Sequence, residues 1–331
     1  MPPHRRRRTG AALQERPFHR WLASTLTGPA RGLLPVGDDA AALPLGDGRV
    51  VLLTSDALSE GTHFRPDSPP RSIGHAVAVV NLSDVAAKGG QPVAFLLDLL
   101  LPRGTPERWA REVTVGAEEL LASYGAHLIG GDTKPSGTRA VVGSLAGIGR
   151  AVRLAPRSGA RAGDVVVVTG AVGRGGFDSL AVAGGRRPTR GELARWLEVH
   201  PRVVEGPVLA RFAHAMMDTS DGVADSARLL AEASRKKLIL RSPDLPIYPR
   251  LTRRVSRPAE RLQIAFFGGD YELMATLPRE EFRTARRALA RFGCPLTVVG
   301  RVERGAGAWI EDDRGLRAMP PAGWRPFGSQ P

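Results

Sequence analysis

The chain contains 331 residues, 42% of them hydrophobic and 24% charged, a composition typical of a globular protein rather than a disordered one. This length exceeds the size at which one hydrophobic core usually keeps growing, so we expect two domains. The single cysteine, Cys294, excludes an internal disulfide and a cysteine-based zinc site. No apolar run is long enough to span a bilayer and no signal-like segment follows the basic residues 5–8, so we predict a cytoplasmic protein without membrane contact.

The formal net charge of +14 would suit a nucleic-acid surface, but two features argue against that function. The basic residues are distributed along the whole chain. Aromatic residues make up only 5% of it, too few for a platform on which single-stranded bases stack. We therefore predict no nucleic-acid partner. We also predict that residues 1–16, which contain the arginine run at 5–8, form a disordered basic tail.

Apolar runs alternate with turn signals along both halves of the chain, which predicts a mixed α/β fold. In the first half we predict a helix from Phe18, helices over 72–88 and 105–124 capped by Ser72 and Thr105, and strands over 50–54, 93–101, 127–129 and 139–148. In the second half we predict strands over 164–169, 238–240, 273–277 and 296–299, and helices over 191–197 and 221–233. A loop rich in Gly, Pro and Arg over 150–163 separates an N-terminal domain (17–150) from a C-terminal domain (151–331).

Aspartates recur in one style, beside glycines at the ends of apolar runs or inside predicted helices. A single aspartate in such a position is usually a helix cap or a turn residue. Asp84 differs, because it continues the apolar stripe of Ile73, Val77 and Val80, where a carboxylate is costly to bury unless it is paired or bound to a metal. The full set comprises Asp38, Asp39, Asp56, Asp84, Asp132, Asp218, Asp221 and Asp270.

Many separated aspartates without paired His or Cys suit Mg²⁺-nucleotide chemistry better than zinc, because Mg²⁺ prefers oxygen ligands and keeps several waters. The sequence has no Walker P-loop, no Gly-x-Ser-x-Gly and no His-Glu-x-x-His. The glycines of 170–176 could approach a phosphate or form a plain strand-to-helix turn. Asp221 could bind metal or cap the helix that it begins, and a lone histidine such as His63 is usually structural.

Several of these segments, taken in order, resemble thiamine-monophosphate kinases, of the wider aminoimidazole-ribonucleotide-synthetase-like superfamily of ATP-binding proteins. The matches extend from about residue 18 to the Gly-Trp pair at 323–324 and cover nearly the whole chain. They are Gly-Asp-Asp-Ala-Ala at 37–41, Thr-Ser-Asp-Ala-Leu at 54–58 with Gly-Thr-His-Phe at 61–64, Asn-Leu-Ser-Asp-Val-Ala-Ala-Lys at 81–88, Leu-Ile-Gly-Gly-Asp-Thr at 128–133, Asp-Thr-Ser-Asp-Gly at 218–222 and Asp-Tyr-Glu-Leu at 270–273.

The resemblance implies an N-terminal mixed sheet with helices that pairs across a homodimer, and a C-terminal α/β domain that closes over ATP. It also implies in-line transfer of the γ-phosphoryl group of ATP to thiamine monophosphate, assisted by several Mg²⁺ ions and without a general base. Carried over by position, the Mg²⁺ ligands would be Asp39, Thr54, Ser55, Asp56, Asp84, Asp132, Asp218 and Asp221. ATP would contact Gly131, Asp132, Arg157 and Ser220, and the thiamine moiety would contact His63 and Trp324, with Trp324 stacking on the thiazolium ring.

Two positions depart from the pattern of that family. Gly269 stands where the family usually has a glutamate near the substrate, so Asp270 or Glu272 would have to substitute for it. Lys88 stands where an apolar residue is usual. Two alternatives therefore stay open: an enzyme of the same superfamily that uses another acceptor, and a non-catalytic nucleotide-binding relative.

Overall fold

The computed structural model describes residues 13, 15–25, 33–184 and 186–323. Most of the predicted basic tail, residues 1–16, lies outside the described residues. The last two residues of that tail begin helix α1 (Glu15–Thr25). Trp324 also lies outside the described residues. The described chain forms two sheets flanked by helices, and each sheet is built from one half of the sequence. The predicted mixed α/β class is confirmed.

The first sheet has the strand order β1-β2-β6-β3-β4, with β5 also paired to β3. Its pairs are antiparallel, except that β4 and β5 run parallel to β3. Helix α2 packs on the sheet and helix α3 packs on α2. The elements are β1 (Ala41–Gly46), β2 (Arg49–Ser59), α2 (Pro70–Ala87), β3 (Gln91–Leu101), α3 (Glu107–Ser123), β4 (His127–Gly130), β5 (Thr133–Pro135) and β6 (Ala140–Arg150).

The second sheet has the strand order β13-β12-β9-β11-β7-β10-β8 and is antiparallel except for the pair β12 and β9. Strand β7 carries four consecutive valines, all buried, as expected for a strand covered on both faces. The elements are β7 (Val165–Thr169), α4 (Arg174–Ala183), α5 (Arg190–Leu197), α6 (Glu205–Leu209), β8 (Ala215–Asp218), α7 (Val223–Ser234), β9 (Lys237–Arg241), α8 (Pro249–Arg254), α9 (Pro258–Ala265), β10 (Leu273–Leu277), α10 (Phe282–Ala290), β11 (Leu296–Glu303), β12 (Gly307–Asp312) and β13 (Gly315–Ala318).

Two predicted helix caps, Ser72 and Thr105, are wrong, and the alternative of Asp221 as a cap is excluded. Helix α2 begins at Pro70, and the hydroxyl of Ser72 donates to Glu198 Oε1 at 2.6 Å instead of capping the helix. Helix α3 has Pro106 at its N-cap, while Thr105 bonds the carbonyl of Pro102. Helix α7 has Gly222 at its N-cap, with φ of 96° and ψ of 152°. Asp221 therefore precedes the cap, so its side chain is not committed to that role.

The two faces of the first sheet differ in what covers them. In β2, alternate residues such as Leu52 and Leu58 are buried beneath α2, whereas Leu53 points to the opposite face and is 43% exposed. Leu96 of β3 lies on the same outer face and is 44% exposed. Throughout the described ranges, no helix is long and apolar enough to cross a membrane.

Candidate active site

A cavity of ≈ 790 Å³ is lined by residues from both halves of the chain. The first half contributes the loop before β1, the C-terminal part of β2 and one side of α2. The second half contributes α5, the segment between β8 and α7, and the loop before β10. Because these segments are far apart in sequence, only the packing of the two halves creates the cavity.

Three carboxylates converge at this cavity. One oxygen each of Asp39, Asp84 and Asp218 can be chosen so that all three atoms lie within 4.8 Å of one another. Asp39 lies in the loop before β1, Asp84 on the inward stripe of α2, and Asp218 at the end of β8. The helical spacing of Asp84 predicts an inward position, and α2 does turn this carboxylate toward the cavity.

Hydroxyl groups fix the orientation of two of these carboxylates. Thr54 Oγ1 donates to Asp84 Oδ2 at 2.5 Å. Ser83 Oγ donates to Asp218 Oδ2 at 2.6 Å, and Ser220 Oγ donates to Asp218 Oδ1 at 2.7 Å. These bonds fix the directions of the carboxylate oxygens and bring no positive charge into the cluster.

Burial and mutual repulsion act strongly on these groups. Burial, followed by the charges of Asp56, Asp218 and Asp39, raises the pKa of Asp84 well above its usual value. Burial, followed by the charge of Asp39, raises the pKa of Asp218 to about 6. Burial likewise raises the pKa of Asp56, which shares a hydrogen bond with Asp84. Buried oxygen ligands that repel one another in this way fit a divalent hard cation such as Mg²⁺.

Asp39 differs from the other members of the cluster, because two cationic side chains reach it. Arg157 donates through Nε to Asp39 Oδ1 at 3.0 Å, and its Nη2 bonds the same oxygen. Lys88 Nζ lies 2.7 Å from Asp39 Oδ2. Although burial opposes it, the charges of Arg157 and Lys88 lower the pKa of Asp39 below its usual value. This carboxylate is therefore ionised and held at the edge of the cluster.

Most of the other predicted site residues also line the cavity. Thr54, Asp56, His63, Ser220 and Asp221 all contribute to its wall. The ring of His63 accepts a hydrogen bond at Nδ1 from the backbone N–H of Ser59 at 3.1 Å, and burial lowers its pKa. The ring is therefore neutral near pH 7 and presents a polar edge inside a half-buried environment.

Two predicted metal or nucleotide contacts lie away from the cavity, and a third, Ser55, is part of the cavity wall but turns its hydroxyl away. The hydroxyl of Ser55 points to the outer face of the first sheet, where it donates to the carbonyl of Gly143 at 3.1 Å. Gly131 and Asp132 follow β4 and do not line the cavity. Asp132 is exposed, its carboxylate pairs with Lys134 at 2.9 Å, and its N–H donates to Asp98 at 2.7 Å.

The two candidate replacements for the family glutamate are committed to structural roles. Asp270 accepts hydrogen bonds from the N–H groups of Gly173 and Gly175 at 2.7 and 2.9 Å, and burial raises its pKa to about 7. Glu272 accepts from Arg202 at 2.6 Å through both oxygens. Neither carboxylate lines the cavity, whereas Gly269 does. Neither of them therefore replaces the family glutamate at the position of Gly269 in the cavity wall.

Sequence reasoning missed two groups of the site. Asp38 was noted in its motif without a role, yet its carboxylate accepts from Lys88 Nζ at 2.6 Å and from the backbone N–H of Arg157 at 3.0 Å. Trp196 of α5 lines the cavity, and no motif marks it. Its neighbours in the sequence form an ordinary amphipathic helix, so only the fold could reveal its position.

Comparisons with known proteins agree with this geometry. Two family models match the chain, AIR synthase related protein, N-terminal domain, over residues 37–151, and AIR synthase related protein, C-terminal domain, over residues 161–311. The thiamine-monophosphate kinase of Pyrococcus horikoshii is 31% identical over 290 residues, which cover 87% of this chain and 90% of that protein. That of Halobacterium salinarum is 36% identical over 289 residues, which cover 87% and 93%.

A solved structure extends the likeness to three dimensions. AaThiL complexed with AMPPCP and TMP is 30% identical, with a TM-score of 0.80 over 95% of this chain and 97% of that one. Sequence and fold agree over nearly the full length of both proteins. The chain therefore belongs to the thiamine-monophosphate kinase family and is a kinase built from AIR synthase related domains.

Proposed function

We propose that this chain transfers the γ-phosphoryl group of ATP to the phosphate of thiamine monophosphate and forms thiamine diphosphate. An oxygen of the acceptor phosphate forms the new bond to the γ-phosphorus, while the bond to the bridging oxygen breaks in line and ADP leaves with that electron pair. The observation that carries the proposal is the convergence of Asp39, Asp84 and Asp218 at one cavity of ≈ 790 Å³.

The carboxylates of the cluster would hold several Mg²⁺ ions. Bound there, these ions would neutralise the phosphates of both substrates and the charge that develops between them. Asp84 and Asp218 supply oriented oxygens, and Asp56, Thr54 and Asp221 stand beside them as further ligands. The acceptor oxygen is already anionic, so the chain needs no general base, and positioning is its main task.

The thiamine moiety would occupy the apolar part of the cavity. Ala76 and Val80 line it from α2, where a rise of about 1.5 Å per residue places Ala76 roughly 12 Å from Asp84 along the helix axis. Leu58 and the indole of Trp196 complete this wall. An aromatic face beside an apolar wall suits a cationic heteroaromatic ring. The role of Trp324 in stacking stays a prediction.

Trp196→Ala tests this placement. We expect the KM for thiamine monophosphate to rise roughly tenfold, because a lost aromatic contact to a cation costs about 1–2 kcal/mol, while the KM for ATP changes little. Steady-state kinetics with each substrate varied in turn provides the measurement. Trp309→Ala is the matched control, since the indole of Trp309 on β12 donates to the carbonyl of Ala306 and does not line the cavity. Equal effects on both KM values would contradict the assignment.

Direct detection of product tests the reaction itself. Purified protein is incubated with ATP, Mg²⁺ and thiamine monophosphate, and thiamine diphosphate is separated by chromatography. We expect product that depends on Mg²⁺. ATP binding without this product, but with turnover of another phosphorylated acceptor, would support the alternative of a different substrate. ATP binding without turnover of any acceptor would support a nucleotide-binding relative that has lost catalysis.

We further infer that two copies of the chain associate through the outer face of the first sheet, in a cytoplasmic homodimer. Leu43, Leu53 and Leu96 lie on that face and are each more than 40% exposed, and contiguous exposed apolar surface of this kind marks an interface. Asp132 bonds Asp98 beside the same face, away from the cavity of its own chain. In such a dimer, Asp132 of one copy would lie beside the ATP bound by the other copy.

Mixing two inactive variants tests this arrangement. If each site combines Asp84 of one copy with Asp132 of the other, a mixed dimer of Asp84→Asn and Asp132→Asn chains contains one intact site. We expect co-refolded mixtures to recover about a quarter of the wild-type activity, since half of the dimers are mixed and each has one working site. Size-exclusion chromatography with light scattering reports the assembly. A mixture that stays as inactive as its components would contradict a shared site.

A further inference from the structure

Lys88 is a buried cation that the reaction proposed above does not use. It directly follows α2, and its side chain is 0% exposed. Its Nζ atom lies 2.6 Å from Asp38 Oδ1 and 2.7 Å from Asp39 Oδ2. It also donates to the carbonyls of Ala155 at 2.9 Å and Met216 at 2.7 Å. Lysine is almost never fully buried without partners, and here four oxygens surround it.

These four oxygens come from three separate parts of the chain. The two carboxylates belong to the loop before β1, the carbonyl of Ala155 to the segment before β7, and that of Met216 to β8 of the second sheet. The ammonium thus joins both halves of the molecule behind the cavity. Two carboxylates around one ammonium also leave a net negative charge, which Arg157 offsets by bonding Asp39 Oδ1.

Asp39 connects this arrangement to the carboxylate cluster. One of its oxygens faces Lys88, and the same side chain lies within 4.8 Å of ligand oxygens of Asp84 and Asp218. The cluster therefore contains a cation that is part of the chain. Without Lys88, two fully buried carboxylates would have to be neutralised by Arg157 and by ions from solution.

We propose that the Lys88 ammonium is a permanent cation of the phosphoryl-transfer site, which keeps the carboxylate cluster assembled before metal binds and reduces the metal charge that the site requires. Lys88 is in this sense a positioning residue, because it acts through Asp38 and Asp39 and does not line the cavity. The inference rests on the proposed Mg²⁺ site. It predicts that stability without metal, and the gain in stability on adding metal, both depend on this side chain.

Thermal unfolding of Lys88→Met, in EDTA and in saturating Mg²⁺, tests the proposal. We expect the Tm in EDTA to fall by roughly 10 °C, because breaking a buried ion pair leaves uncompensated charge. We expect the Mg²⁺-induced gain in Tm to exceed that of the wild type, since the ions then neutralise charge that Lys88 formerly balanced. In titration calorimetry with Mg²⁺ alone, Lys88→Met should release more heat or bind more ions per chain than the wild type.

If the single variant does not fold, the double variant Lys88→Met/Asp38→Asn serves for the same test. It removes one positive and one negative charge together, so the net charge of the buried group is unchanged. Its Mg²⁺-induced gain should still exceed the wild-type gain, since Asp39 has lost its ammonium. Arg202→Met is the matched control: it removes a half-buried cation that pairs with Glu272 outside the cavity, and should lower the Tm without enlarging the gain.

The outcomes separate the two proposals. A wild-type protein whose Tm and calorimetric trace do not respond to Mg²⁺ would overturn the metal site, and the role of Lys88 with it. If Mg²⁺ raises the Tm of the wild type and of both Lys88 variants by the same amount, the metal site stands. The role of Lys88 as a cation of that site is then overturned. In that case its contacts with Ala155 and Met216 would make it a structural link between the two halves.

Discussion

Asp84→Asn is expected to lower Mg²⁺-dependent turnover by about 10³-fold or more while the protein stays folded, because the variant removes a charged ligand at the centre of the cluster. An asparagine oxygen can still accept from Thr54 Oγ1, so the local packing is kept. Burial of the charge, followed by repulsion from Asp56, Asp218 and Asp39, raises the pKa of Asp84, and both unfavourable effects disappear with that charge. We therefore expect the Tm in EDTA to stay unchanged or to rise.

The combination of lost activity and kept stability distinguishes a functional carboxylate from a structural one. Rates at saturating ATP and acceptor, together with thermal unfolding in EDTA, give both quantities. Asp164→Asn is a matched control, since Asp164 is a buried carboxylate that pairs with His214 and does not line the cavity. That control should lose stability and keep turnover. Undiminished turnover of Asp84→Asn would refute its role as a ligand.

The position of Asp84 could be predicted because it depends on one helix. Ile73 and Val77 are buried on α2, and a spacing of three and four residues brings Asp84 to the same side. Its partners could not be predicted in the same way. Asp39 and Asp218 are 45 and 134 positions away in the sequence, and only the packing of two sheets brings them within reach.

The alternation of side chains along β2 limits which residues of its motif can reach the cavity. Successive side chains of a strand point to opposite faces, so Thr54 and Asp56 share the cavity side while Ser55 must point away. The motif as a whole suggested three metal ligands, but the hydroxyl of Ser55 bonds Gly143 on the outer face. A motif gives the order of residues along the chain, whereas the direction of each side chain follows from the strand.

The predictions of the helix caps were wrong for a different reason. Ser72 and Thr105 are good caps by composition, yet each helix begins beyond a proline, at positions where Pro69 and Pro106 occupy the N-cap. Ser72 instead bonds Glu198, a residue 126 positions away. Local propensity was overridden by a tertiary contact that no window of sequence contains. For the same reason the sequence marks Lys88 as unusual but does not reveal its four partners, which come from distant segments.

Arg157→Met is expected to lower kcat/KM for ATP by about 100-fold or more and to reduce stability as well, because Arg157 combines two roles. It lines the cavity, where we propose that it contacts ATP, and it fixes Asp39 through Nε and Nη2. Its Nη1 also donates to the carbonyl of Gly37 at 2.7 Å, and its N–H to Asp38 at 3.0 Å. The substitution removes the three guanidinium contacts and keeps those of the backbone.

Arg157→Lys separates the charge from the geometry. A lysine keeps one positive charge near Asp39 but cannot form the fork that reaches both the carboxylate and the carbonyl of Gly37. We expect it to recover most of the Tm lost in Arg157→Met and only a small part of kcat/KM for ATP. Thermal unfolding and kinetics at varied ATP measure the two effects. If the lysine variant recovered both to the same extent, charge alone would explain Arg157, and the proposed positioning of the nucleotide by its guanidinium would be wrong.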